Sequence, residues 1–352
     1  MSTSDFVARM NKKLGANLVV SAADMVQGRR FTSGSTAIDS ALGGGYPANQ
    51  WVEVIGPSSA GKTSTTYKCI AANQREDDNF STLWVAGEHF DVDQAQALGV
   101  DLERVTVVNT QIMEFGLEAL IDGTESQEFD LLVLDSYPAL LPSDEAEKGM
   151  DEHVVASGAK LLNKFIRKVG PASARAIDGS DRPFFGIIIN QWRDQIGGFS
   201  RFGTPKITPG GKGKDYFFYV RMELSRDGDY ITEKRPGQGD VKVGQTIKMK
   251  TIKNKSAAPQ QIATVDYYFT DAPSLGFRRG DYDVAKEFTD IAMSLGVIKR
   301  AGAYYSFEDQ KWQGKDALTA ALRGDSLLQG RLRRDILLAS SDMDKLETME
   351  ER

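Results

Sequence analysis

Lys62 and Thr63 close the octapeptide Gly56-Pro57-Ser58-Ser59-Ala60-Gly61-Lys62-Thr63, and Ser64 follows them. An ammonium beside a hydroxyl, behind a turn with a glycine at each end, suits a chain of phosphates. The glycines let the backbone curl so that successive N–H groups face phosphate oxygens, and a helix beginning there adds its partial positive charge. Lys62 is then placed for the β- and γ-phosphates, and the Thr63 hydroxyl for Mg²⁺. The run before the turn, Trp51-Val52-Glu53-Val54-Ile55, reads as a buried strand, and a helix is expected from Ser64 to about Asn73. Strand, glycine turn and helix are the context this motif requires, so the chain is expected to bind a nucleoside triphosphate.

Hydrolysis of that ligand needs an acid beside the metal and a group to polarise water. Phe129-Asp130-Leu131-Leu132-Val133-Leu134-Asp135 supplies the first, with Asp135 at the C-terminal edge of a buried strand and Ser136 beside it. Glu88 supplies the second, in Gly87-Glu88-His89 at the end of the strand Thr82–Ala86. A third strand, Phe184–Ile189, ends in Asn190-Gln191, where an amide can sense the terminal phosphate and pass its presence to the segment that follows.

That segment, Trp192 to Gly211, is punctuated by glycine and proline and interleaves Trp192, Phe199 and Phe202 with Arg193, Arg201 and Lys206, before closing on Gly210-Gly211. Irregular stretches of this length inside a domain are usually functional or disordered. Basic groups neutralise phosphates while aromatic tips touch bases. From Arg193 to Lys214 there are five bases (Arg193, Arg201, Lys206, Lys212, Lys214) against the single acid Asp194, although the whole chain carries −6. A local basic patch on an acidic protein is therefore expected, and a uniformly basic nucleic-acid binder is excluded. A second loop, Ser143 to His153, is acidic, and the helix after it carries Lys160, Lys164, Arg167 and Lys168.

The elements that must position these groups alternate between strand and helix from about residue 30 to 270. Strands are expected at Trp51–Ile55, Thr82–Ala86, Val105–Val108, Leu131–Leu134, Phe184–Ile189, Tyr216–Leu224, Ile247–Ile252 and Thr264–Phe269. The early runs are continuously apolar, as in a parallel sheet covered on both faces, and the later ones alternate, as in an antiparallel extension. Residues 4–14 form a short amphipathic helix with Ser4 as N-cap, Gly15 as C-cap, and Phe6, Val7, Met10 and Leu14 along one stripe. A helix so short must dock on something. After Asp271-Ala272-Pro273 the pattern changes to helices at about Val284–Leu295 and Gly314–Gly324, with a short strand pair around Ala303–Phe307. The expected organisation is an N-terminal helix and linker (1–29), a P-loop α/β core (30–270), a small α/β domain (271–339) and an acidic tail (340–352).

At 352 residues, 41% hydrophobic and 26% charged, the chain has the make-up of a soluble globular protein of more than one domain. No apolar run approaches membrane-spanning length and no signal-peptide pattern opens the chain, so a cytoplasmic protein is expected, whether of a bacterium or of a phage-infected host. Cys69 stands alone, which excludes an internal disulfide or cysteine-based zinc site and suits a reducing compartment.

Together these residues resemble the bacterial RecA family of DNA strand-exchange recombinases. The likeness runs from Ser33-Gly34-Ser35 and the Leu42-Gly43-Gly44-Gly45 turn, through the phosphate loop, to Ala303-Tyr304-Tyr305-Ser306. Its most specific pieces are Glu88-His89, the segment from Asn190-Gln191 to Gly210-Gly211, and Ile252-Lys253-Asn254-Lys255-Ser256-Ala257-Ala258-Pro259. The resemblance implies a filament of protomers on single-stranded DNA, pairing it with double-stranded DNA, with ATP and Mg²⁺ held between neighbours. Glu88 then matches the catalytic glutamate and Gln191 the γ-phosphate sensor. Lys253 and Lys255 match lysines that reach the adjacent protomer's nucleotide. Phe6 and Met10 on the N-terminal helix, and Tyr216, match the subunit interface. Residues 143–153 and 192–211 match two DNA-binding loops, and Arg167 and Phe202 match positions near DNA. Single-strand-binding and mediator proteins are the further partners the family implies.

Some positions depart from the family. The second loop is about two residues longer than in common bacterial members, Trp192 and Arg201 are unusual there, and residues 109–115 match poorly where the adenine is held. These departures suit a divergent or phage-encoded relative. The competing class is a RecA-like ring ATPase with a regulatory role and no DNA binding, against which the basic aromatic loop argues. A DNA-binding scaffold without turnover is opposed by intact Lys62 and Glu88.

Overall fold

The computed structural model describes residues 3–14, 19–22, 28–147, 157–172, 182–194 and 205–350. In chain order the elements are α1 (Thr3–Leu14), β1 (Arg30–Phe31), α2 (Thr36–Leu42), β2 (Tyr46–Pro47), β3 (Gln50–Ile55), α3 (Lys62–Glu76), β4 (Thr82–Ala86), α4 (Val92–Ala97), β5 (Val105–Asn109), α5 (Met113–Ser126), β6 (Leu131–Asp135), α6 (Ser143–Ala146), α7 (Ser157–Val169) and β7 (Phe185–Asn190). They continue with β8 (Arg193–Asp194), β9 (Lys206–Ile207), α8 (Gly213–Phe217), β10 (Val220–Arg235), β11 (Gly239–Asn254) and β12 (Ile262–Tyr268). The last are α9 (Val284–Ser294), β13 (Lys299–Ala301), β14 (Tyr304–Phe307), β15 (Gln310–Gln313), α10 (Lys315–Gly324) and α11 (Ser326–Glu350).

One eight-stranded sheet in the order β12-β11-β10-β3-β7-β6-β4-β5 organises the larger part of the chain. The run β10-β3-β7-β6-β4-β5 is parallel throughout. Its central strands are buried along their whole length, which is why they read as continuous apolar runs rather than alternating ones. The turn joining β10 to β11 is too short for a parallel crossover, so those two strands form a hairpin. The expected α/β core is the observed one, but of the later, alternating strands β10 lies parallel to β3, so the antiparallel extension begins only with β11.

The core below the sheet is aromatic. Trp51 on β3 packs edge-on against Phe165 of α7, ring centroids 5.0 Å apart, and lies across Gly186 of β7. A Cβ at Gly186 would fall 2.2 Å from the indole, so that glycine makes room for the tryptophan. Leu120, Leu132, Leu134, Leu162 and Phe218 complete this cluster.

Two compact units emerge: residues 1–34, 38–226 and 248–262 form one, and 35–37, 227–247 and 263–352 the other. The division therefore falls within the long hairpin and not at residue 270. The second unit holds the antiparallel sheet β13-β14-β15 and a core built from Phe288, Phe307, Leu318, Leu322, Leu332 and Ile336.

Two expected elements differ. Tyr216–Leu224 is not one strand: α8 runs to Phe217, closed by Phe218 N–H on the Lys214 carbonyl, and β10 starts at Val220. The aromatic run Tyr216-Phe217-Phe218-Tyr219 has strand propensity, but the inward turn of Lys214 holds its first residues in a helical turn. The acidic tail expected at 340–352 is helical through Glu350 as a continuation of α11, in keeping with its Leu, Lys, Met and Glu residues. Among the described residues no helix is long and apolar enough to cross a membrane.

Candidate nucleotide and nucleic-acid sites

Register brings the chemistry to one edge. Ala86 of β4 pairs with Asp135 of β6, and Ile55 of β3 with Asn190 of β7, so the residues leaving these strands emerge together at their C-terminal ends. In open parallel sheets this is where ligands bind. Gly87 and Glu88 both donate backbone N–H groups to the Asp135 carbonyl, which fixes the turn after β4 against β6.

A cleft of about 360 Å³ opens there, lined by Ser58, Ser59, Gly61, Lys62, Thr63, Ser64, Glu88, Gln94, Asp135 and Gln191. The turn from Gly56 to Gly61 leads into α3. Ser59 and Gly61 adopt φ of 60° and 90°, and no side chain caps the helix. Its first-turn N–H groups are thus open to an anion. Pro57, Ser58 and Ser59 form the exposed crest of the turn, and Ala60 is buried beneath it. Gly56 has no space for a side chain, since a Cβ would lie 2.3 Å from the Leu224 carbonyl oxygen.

Lys62 Nζ donates to the carbonyls of Gly56 (3.1 Å) and Pro57 (2.7 Å). Burial pushes its ammonium below the usual range, opposed by Asp135 and Glu88. Thr63 Oγ1 donates to Asp135 Oδ2 at 2.7 Å. Burial raises the Asp135 carboxyl to about 6, with the Thr63 hydrogen bond opposing and the nearby Glu88 charge adding to the rise. The Ser136 hydroxyl donates to Glu88 Oε1, which orients the glutamate.

Thr63 and Asp135 are hard oxygen donors in contact, a pair that fits Mg²⁺. Among the described residues no group of three His, Cys, Asp or Glu could hold a metal by itself, so a divalent ion here depends on phosphate oxygens and water for its remaining ligands. At another part of the cleft rim, Gln94 Nε2 donates to Ser64 Oγ at 3.2 Å. Sequence reasoning passed over Gln94, whose polar character on a short helix carries no motif.

Lys253 and Lys255 do not line this cleft. Lys253 Nζ donates to the carbonyls of Asp215 (2.7 Å) and Tyr216 (3.1 Å), and burial, then Lys255 and Arg221, lower its pKa. Lys255 is exposed, its ammonium 5.7 Å from the Tyr219 ring centroid. Tyr216 is 82% exposed. On α1 no residue is buried: Phe6 is 47% exposed and Met10 half-buried. Among the described residues, nothing fully buries the apolar stripe of α1, although Val7 and Met10 are partly covered.

Of the loop residues, Arg193 and Lys206 are exposed on the two-stranded ladder β8-β9, where Asp194 faces Lys206 and Arg193 faces Ile207. Trp192 Nε1 donates to Glu223 Oε1 at 2.7 Å, so its indole is tied to β10. Gly210 is buried at φ 106°, where a Cβ would meet Leu162 at 2.5 Å, whereas Gly211 is exposed. Arg167 is exposed near the end of α7. Phe199, Arg201, Phe202 and most of the 143–153 loop lie outside the described residues.

Lys214, counted above in the basic patch, does not belong to it. Only 1% exposed, it pairs with fully buried Glu53 at 3.2 Å and with Asp215 at 3.0 Å, and its ammonium donates to the Thr208 hydroxyl. Arg221 Nε also donates to Glu53 (2.6 Å), as does Asn190 Nδ2 (2.8 Å). The sequence held a signal for this network: Glu53 is the one charge in an otherwise apolar strand and requires buried partners.

A family model described as the RecA N-terminal domain matches residues 3–274. Curated relatives called Protein RecA include that of Chlorobaculum parvum, 31% identical over 335 residues, covering 94% of this chain and 90% of the relative. The protein of that name in Bacillus mycoides is 32% identical over 313 residues (88% and 84%), and that of Staphylococcus aureus is 31% identical over 350 residues (97% and 93%).

Proposed function

The chain belongs to the RecA family, and from that membership together with the strand-end cleft we infer that it is a DNA-dependent ATPase that carries out homologous pairing and strand exchange in recombination and repair. The observation that carries this is the meeting of Lys62, Thr63, Glu88, Asp135 and Gln191 in one cleft, with Lys253 and Lys255 outside it. A hydrolytic site with two functional lysines elsewhere fits a nucleotide held between protomers.

The turn from Gly56 to Ser64 would bind ATP, and Thr63 and Asp135 would hold Mg²⁺. When bound, Mg²⁺ neutralises charge on the β- and γ-phosphates. Lys62 leaves the Gly56 and Pro57 carbonyls to meet the same phosphates. Glu88, oriented by Ser136, would draw the proton from a water that attacks the γ-phosphorus as the bond from that phosphorus to the ADP oxygen breaks. Lys253 and Lys255 of one protomer stabilise the charge that builds on its neighbour's leaving phosphates, as arginine fingers do. Gln191, at the head of the 192–211 segment, reports the γ-phosphate to it. Arg193, Arg201 and Lys206 neutralise the backbone of single-stranded DNA there, with Trp192, Phe199 and Phe202 alongside, and base pairing with the incoming duplex reads the sequence. Phe6, Met10 and Tyr216 join protomers into a helical filament.

Steady-state ATP hydrolysis with and without single-stranded DNA tests this directly. Stimulation of severalfold is expected. Equal rates would exclude the recombinase and favour a RecA-like ATPase that binds no DNA.

A further inference from the structure

Lys214 is an unusual investment for a protein: a full charge, 1% exposed, on a helix of five residues. Glu53 Oε1 receives both Lys214 (3.2 Å) and Asn190 Nδ2 (2.8 Å), and Glu53 Oε2 receives Arg221 Nε (2.6 Å). The Thr208 hydroxyl accepts from Lys214 and from Arg221, and Asn190 Nδ2 also reaches the Pro209 carbonyl at 3.1 Å. Asp215 Oδ1 accepts from Lys214 at 3.0 Å and pairs with Arg221 at 2.9 Å. Gly210 provides the passage: a Cβ there would stand 3.1 Å from the Lys214 stem.

The cluster touches three functional parts at once. Asn190 immediately precedes Gln191, which lines the nucleotide cleft. Thr208 and Pro209 follow β9, the returning arm of the basic segment. The Asp215 and Tyr216 carbonyls hold Lys253 Nζ.

We propose that Lys214 is a positioning residue that couples the nucleotide cleft to the basic segment and to Lys253, and that it makes no contact with DNA. A buried ion pair contributes little net stability, yet removing either partner leaves the other charge uncompensated, so the role proposed for this one is to hold geometry. Here one ammonium fixes Thr208, Glu53 and Asp215 relative to one another. A change at Asn190-Gln191 therefore moves the return of the basic segment and the turn that holds Lys253 together. The proposal rests on the DNA-stimulated ATPase reading above.

The test replaces Lys214 with methionine, which keeps the stem and removes the charge, and compares three quantities with the unaltered protein. Affinity for the ATP complex should be unchanged. The slope of log affinity for single-stranded DNA against log salt should also be unchanged, since a lost phosphate contact would lower its magnitude by about 0.7. Stimulation of hydrolysis by DNA should fall by about fivefold or more, the lower range of coupling between sites. Stimulation retained within about twofold, or a slope lowered by about 0.7, overturns the proposal. If K214M does not fold, the paired variant E53Q/K214M removes both charges and carries the same expectations. Loss of nucleotide binding in that folded pair would assign Lys214 to the fold alone and equally overturn it. Absence of stimulation in the unaltered protein would instead sink the ATPase reading itself.

Discussion

In the proposed role of Asp135, burial bears on metal binding. Its carboxyl is raised to about 6 because ionisation inside the strand edge costs solvation, yet holding Mg²⁺ requires the ionised form. Below pH 6 a proton competes with the metal, so Mg²⁺-dependent nucleotide affinity should fall about tenfold per pH unit there and level off above it. Titration calorimetry at pH 5 to 8 checks this; D135N should flatten the profile at a weak affinity. Glu88 gives a second prediction. E88Q keeps the hydrogen-bonding shape but cannot take a proton, so turnover should drop roughly a hundredfold or more with ATP binding intact. Unchanged turnover would place the base elsewhere. Lys62, Thr63, Glu88 and Asp135 were legible in the sequence because each lies at a strand's end, in the turn just after one or at a helix start within a recognisable motif. Lys214 was not: charge counting sees a lysine among lysines, and only the fold shows it turned onto Glu53.

At the scale of elements, β3 and β7 depend on one another through Trp51 and Gly186. G186A forces a methyl into the indole and should destabilise the protein by about 1–3 kcal/mol, read as a lower Tm with nucleotide binding recovered at low temperature. α1 contributes in another way. It buries no residue, so a chain lacking residues 1–14 should fold and bind ATP yet fail to assemble on DNA, as sedimentation would report. Loss of nucleotide binding in the shortened chain would mean that α1 supports the core instead. The central parallel strands β3, β7, β6 and β4 were readable because burial on both faces leaves nearly uninterrupted apolar runs. α8 was not, since its aromatic residues have strand propensity and its helical turn is imposed by the buried Lys214. α11 extends beyond the expected end because the acidic residues of 340–352 are also helix formers. The boundary near residue 270 was drawn from a change in pattern, whereas compactness divides the chain within a hairpin whose two strands look uniform in sequence.

At the scale of the whole molecule, one chain supplies a nucleotide cleft, a pair of lysines outside it and a partly covered apolar stripe on α1. On the proposed reading such a chain is completed by a copy of itself, through a heterologous contact that propagates into a helix. The double variant K253A/K255A should accordingly bind ATP and hydrolyse almost none. Mixing supplies the decisive measurement. In a filament made from equal parts of E88Q and K253A/K255A, each inactive alone, roughly a quarter of the junctions join an intact Glu88 cleft to intact lysines. The account predicts that DNA-dependent ATP hydrolysis reappears on mixing. Hydrolysis that stays at the sum of the two separate variants would contradict a catalytic site shared between protomers.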